Sequence, residues 1–192
     1  IVRDRDQGTM ETLFYGPVDA VSYLLGRFFE QLLIFATLLL LTALFFVLAS
    51  LITRFALTIQ FWQACFLTFF VASGVIAFGI LISTITKRTT GAVTLFLVLM
   101  LIFAGVSITQ GMLDAQNLTG ADASAALGIK VVTFLGKIIS WISPFAYLTR
   151  GLDAVDLASW GKYILSLFQA TIYAIVLLGF SGYFFQKRGV RK

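Results

Sequence analysis

The sequence predicts an all-α integral membrane protein, and three observations carry that prediction. Hydrophobic residues make up 59% of the 192 residues and charged ones only 12%, whereas soluble domains carry charge on about a quarter of their residues. Mean hydropathy is correspondingly high at +0.97. Four uncharged runs are each long enough to cross a hydrocarbon core of about 30 Å, and Lys and Arg gather beside those runs rather than within them.

Composition also removes whole classes of chemistry. The chain has no histidine, so zinc sites of the HExxH type, Ser-His-Asp triads and imidazole proton relays are excluded together. Its one cysteine, Cys65, lies in an apolar run, which allows no intrachain disulfide and reads as a small packing residue. A net charge of +5 would suit nucleic acid, but these cations flank apolar segments, where positive charge sets membrane orientation. No nucleic-acid partner is expected, and no catalysis by this chain alone.

The elements follow in chain order. Thr9 is placed as the N-cap of a short amphipathic helix over residues 8–15, with Glu11 in its positively polarised first turn. Gly16-Pro17 ends it, and Pro17 opens a second helix that runs into the membrane. From Leu32 to Ile52 no residue is charged, which gives the first span. Arg27 and Glu30 stand three apart just before it, where they can pair at the headgroups. A polar break around Arg54 separates this from the second span, Phe61 to Thr86. Within that span Ser73, Gly74 and Ala77 set small side chains close together, with Ser73 and Ala77 on one face. Such a face serves close helix packing in lipid or lines a substrate pathway.

Lys87-Arg88 makes a tight basic turn into the third span, Gly91 to Leu113, and so brief a connection requires an antiparallel hairpin. Residues 114–128 read as an exposed polar loop. In Ile129 to Ile142, residues Lys130, Thr133, Lys137 and Ser140 form one polar stripe at helical spacing. At about 1.5 Å per residue this helix is roughly 21 Å long, too short to cross. Two lysines at the bilayer centre would cost about 5 to 7 kcal/mol, so an interfacial or re-entrant helix is expected. Ser143-Pro144 breaks it. Arg150, Asp153, Asp156 and Lys162 mark a polar return, Tyr163 to Phe185 is the last span, and residues 186–192 form a basic tail.

Four spans put Arg3, Arg5, Arg27, Lys87, Arg88, Lys187, Arg188, Arg191 and Lys192 on one side. The other side then holds Arg54, Lys130, Lys137, Arg150 and Lys162, spread over a longer sequence. The positive-inside rule therefore places both ends in the cytoplasm of a cell (inner or plasma) membrane. The whole reads as one membrane domain: a cytoplasmic coupling region over 1–30, three spans over 31–113, an extracytoplasmic loop with its helix over 114–162, the last span over 163–185, and the tail.

No span carries a charge in its core, although ion- and proton-driven transporters place such residues in their pathways. Gly136-Lys137 and Gly161-Lys162 lack the rest of a phosphate-binding loop. The energy source is therefore expected on a separate motor. At this point a resemblance applies. Asp6-Gln7-Gly8-Thr9-Met10-Glu11-Thr12-Leu13, followed by Gly16-Pro17-Val18 and Leu25-Gly26-Arg27, resembles the E-x-G-T-x-E-x-L, P-[VI], L-G-[KR] signature of exporter-type (type-2) ABC transporter permeases. Asp6 stands where that family has Glu. Two further stretches match in the family's order, Phe78 to Lys87 at the end of a span and Ile142-Ser143-Pro144-Phe145 with Gly151-Leu152 before the last.

The resemblance implies a six-helix permease of which four spans are visible, and hence, with Ile1 rather than Met at its start, the C-terminal part of a longer chain. It implies a dimer with a second permease copy or paralogue, and two ATPase subunits that hold ATP and Mg, with no cofactor in this chain. It also makes residues 8–15 a coupling helix seated on the ATPase. Asp6, Gly8, Thr9, Glu11, Leu13 and Phe14 would form that interface, and Ser143 and Pro144 would belong to an extracytoplasmic gate. The expected function is export powered by the partner ATPase. A structural membrane anchor for an ATPase-containing complex is the alternative; an enzyme acting on lipid would have to rely on Asp153 or Asp156, with no nucleophile or metal cluster beside them.

Overall fold

The computed structural model describes residues 20–54, 56–86, 88–116, 134, 136, 137, 139 and 141–189, and all regular structure among them is helical. Five helices follow in order: α1 Ala20–Thr53, α2 Ile59–Ile85, α3 Thr89–Gln116, α4 Pro144–Asp156 and α5 Trp160–Gly189. Residues 134, 136, 137, 139, 141 and 142 are helical too, just ahead of α4. Among the described residues, four stretches are long and apolar enough to cross a membrane: Val21–Thr53, Ile59–Ile85, Thr89–Val106 and Trp160–Lys187. They lie on α1, α2, α3 and α5, where the four runs of sequence predict spans.

Leu, Phe and Ala dominate α1, and its threonines are satisfied internally. Thr37, Thr42 and Thr53 of α1 donate their hydroxyls to the carbonyls of Leu33, Leu38 and Ala49 at 2.7 to 2.9 Å. A threonine bonded within its own helix turn presents no unpaired polar atom to lipid. At about 1.5 Å per residue the 34 residues of α1 extend roughly 51 Å, well beyond a hydrocarbon core. Its early turns therefore continue past the membrane at the end of the bundle that carries Arg88. Arg27 pairs with Glu30 there at 2.8 Å, as their spacing predicts.

α2 is the central helix. It touches α1, α3, α4 and α5, and its contact with α5 is the most extensive in the bundle. Three apolar clusters follow its length. Near the Arg88 end, Ala77 and Ile80 of α2 pack with Leu24 and Phe28 of α1 and with Ala174 and Phe185 of α5. Toward the Trp160 end, Leu67 and Val71 pack with Tyr147, Ala154 and Val155 of α4 and with Tyr163 and Ala170 of α5. Phe78 and Ile82 hold Phe103 of α3. Outward-facing side chains such as Ile52 and Leu101 remain exposed, which is the expected condition of a surface solvated by lipid.

One element departs from expectation. The polar return after Pro144 is a regular 13-residue helix, α4. Pro144 occupies its first turn, where a missing N–H costs nothing. Tyr147, Gly151, Ala154 and Val155 form its buried stripe, whereas Thr149, Asp153 and Asp156 face outward. The charges that suggest a loop are the exposed face of an amphipathic helix.

Candidate functional site

The expected coupling residues Asp6, Gly8, Thr9, Glu11, Leu13 and Phe14 lie outside the described residues. What the structure does describe is the beginning of α1, which follows them in the sequence. Tyr23 stacks on Phe185 with ring centroids 6.1 Å apart. The Arg27 guanidinium lies 5.7 Å from the Tyr23 ring centroid, and its Nε donates to the Tyr23 hydroxyl at 3.4 Å. Leu24 and Phe28 are buried one turn apart. The first turns of α1 are thus packed against the last turns of α5 and the Arg88-end turns of α2.

Gly74 and Ala77 sit inside the bundle. A Cβ at Gly74 would stand 3.1 Å from Tyr173 Cδ1 of α5, and Ala77, with no exposed surface, lies among Leu24, Phe28 and Ala174. Ser73 is partly exposed, and its hydroxyl donates back to Phe70 O at 2.6 Å. Within this single chain, Gly74 and Ala77 bring α2 close to α5 and α1.

Ser143 and Pro144 are both almost wholly buried. Ser143 has extended backbone at the start of α4, and its Oγ has no partner among the described residues. The helix break has a cost, because a proline cannot donate to the preceding turn and leaves helix-end carbonyls unpaired. Two tyrosines offset it. Tyr147 of α4 donates its hydroxyl to Trp141 O at 2.7 Å, and Tyr173 of α5 donates to Ile142 O. The two rings lie 5.3 Å apart. A third tyrosine, Tyr163, ties the start of α5 to the start of α2 by donating to Gln63 O at 3.0 Å. At about 1.5 Å per residue, Tyr173 lies roughly 20 Å along α5 from Trp160, so the break packs beside the middle of a long apolar helix.

Sequence reasoning does not find these tyrosines, since each reads as one more aromatic in an apolar run. A signal exists nonetheless: a tyrosine well inside a span brings a hydroxyl that must be satisfied there. At the Trp160 end, Gln60, Gln63, Ser159, Trp160 and Tyr163 line a cleft of about 120 Å³. Ser159 carries a buried Oγ with no partner among the described residues.

The described residues thus combine long apolar helices with a proline-broken helix whose Trp141 carbonyl is capped from α4 and whose Ile142 carbonyl is capped from α5. Comparison with known families decides the class. The family model described as "ABC-2 family transporter protein" matches residues 1–190. The chain belongs to the ABC-2 transporter family. The match runs through the stretch before α1, all five helices and the break at Pro144, so it covers every region singled out above. No curated protein and no solved structure matches the chain. As an ABC-2 family member it is a transporter-type, multi-pass membrane protein, consistent with a permease subunit.

Proposed function

We propose that this chain is the permease subunit of an ATP-driven exporter, not catalytic itself, working with two ATPase subunits that hold ATP and Mg and with a second permease copy or paralogue. Residues 8–15 are its coupling helix, and the termini and the Arg88 turn face the cytoplasm. The helical residues ahead of Ser143 together with α4 form a re-entrant pair that enters from the extracytoplasmic side and turns at Pro144, beside the pathway.

One observation carries this reading: α1 is continuous from Ala20 to Thr53, and its first turns, at Tyr23, Leu24 and Phe28, are built into the core against α2 and α5. A displacement of the first turns of α1 is therefore delivered to α2 and α5. ATP drives transport only if the ATPase grips two permease conformations differently, and a polar stretch fused to a core-packed helix supplies the handle for that. The absence of charge in the four apolar runs fits a drive from outside the chain better than an ion gradient through it.

Glu11→Arg tests the assignment. The variant is expected to insert into the membrane normally, and either to lose copurification of the ATPase or to leave hydrolysis uncoupled from transport. Copurification and coupled transport both at the unmodified level would overturn the coupling role.

A further inference from the structure

In an uninterrupted helix Ile142 O would accept from Ala146 N–H. Here Ala146 N–H is turned to Ser143 O at 3.2 Å, and Ile142 O takes the hydroxyl of Tyr173 from a different element. The Tyr173 ring is held on two further sides. It faces Gly74 of α2, where a Cβ would approach it to 3.1 Å, and it lies 5.3 Å from the Tyr147 ring of α4. The next residue along α5, Ala174, is buried in the cluster that contains Leu24 and Phe28 of α1. Adjacent α5 residues therefore face the helix break and the first turns of α1.

We propose that Tyr173 is the positioning residue through which α5 holds the break at Ile142 to Pro144, so that a shift of α1 against α5 reaches the break through one hydroxyl. The inference rests on the reading that the stretch before α1 receives the motion of an ATPase. It adds the route by which that motion leaves the core. Tyr147 has a different part, since its hydroxyl joins Trp141 to α4 and both partners belong to the broken helix itself. Its ring packs against α5, but its hydroxyl shapes the break and makes no bond to α5.

The experiment uses the full chain purified with its ATPase in lipid nanodiscs, carrying Ile142→Cys in a Cys65→Ala background. The rate of labelling by a polar maleimide is measured without nucleotide and with excess Mg-ATP. Ile142 is about half exposed, and its replacement leaves the carbonyl in place. In this reference the two rates are expected to differ by about five- to tenfold, the weight of one intramolecular hydrogen bond. Adding Tyr173→Phe, which keeps the ring and deletes only the hydroxyl, is expected to bring the ratio below about twofold, with the ATPase still bound and the melting temperature little changed. Adding Tyr147→Phe is expected to alter both rates together and keep the ratio.

A nucleotide-dependent ratio that survives Tyr173→Phe overturns the proposal. So does a ratio that Tyr147→Phe abolishes equally, and so does a reference that hydrolyses ATP yet shows no dependence at position 142. If no ATPase copurifies with the reference, the functional reading fails and this inference fails with it.

Discussion

Gly151 sets how closely α4 approaches α2. A Cβ there would fall within 3.0 Å of Leu67 Cγ and both its methyls, and Leu67 is fully enclosed, with no exposed surface into which it could swing. Alanine is the better helix former by about 1 kcal/mol, but overpacking a tight contact costs about 1 to 3 kcal/mol, so the clash wins. Gly151→Ala is expected to lower the melting temperature of the purified protein, and Gly151→Ala combined with Leu67→Ala to lose less than the sum of the two single changes. Strict additivity would show that the two residues do not meet. Ser181 presents the opposite case. It has no exposed surface, and its Oγ finds no partner among the described residues. Ser181→Ala is therefore expected to be neutral or stabilising by about 1 kcal/mol, because an unsatisfied buried hydroxyl is removed with almost no change of shape. A loss of stability on that change would mean that the hydroxyl does have a partner.

The same contacts show why some elements are legible in the sequence and others are not. A span is announced by uninterrupted apolar length, so α1, α2, α3 and α5 fall where the uncharged runs place them. α4 escapes because its evidence is divided: its buried stripe of Tyr147, Gly151, Ala154 and Val155 contains only two strongly apolar side chains, and Arg150, Asp153 and Asp156 pull the eye toward a loop. Its end is also informative. Ala158 N–H bonds Val155 O at 3.1 Å and Ser159 N–H bonds Ala154 O at 3.0 Å, with Ala158 at φ 49°. This is a Schellman ending with alanine in the left-handed position that glycine usually takes. A left-handed conformation costs a residue with a Cβ roughly 1 to 2 kcal/mol, and the extra freedom of glycine in the unfolded chain returns part of that. Ala158→Gly should stabilise by about 0.5 to 1 kcal/mol, visible as a higher melting temperature with transport intact. A lower melting temperature would show that the turn is not left-handed.

At the scale of the molecule, sidedness decides whether the parts can work together. Arg27, Arg88 and Lys187 lie at one end of the bundle, on the first turns of α1, the hairpin between α2 and α3 and the last turns of α5. Arg54, Arg150 and Lys162 mark the other. An antiparallel bundle forces this division once four helices cross, and the orientation proposed above, with the Arg88 end in the cytoplasm, is the one that the positive-inside rule favours. On that proposal the stretch before α1 lies where a soluble ATPase is found, and the proposed re-entrant pair opens outside. A cysteine in place of Gly120, in a Cys65→Ala background, is expected to react with an impermeant reagent added to intact cells. A cysteine in place of Thr89 is expected to react only after the membrane is opened. The pair is needed because one silent site proves little, whereas opposite behaviour at two sites joined by a single span fixes the direction of α3. Reaction at position 89 alone in intact cells would invert the bundle. It would place the stretch before α1 on the outer face, and no cytoplasmic ATPase could then reach it.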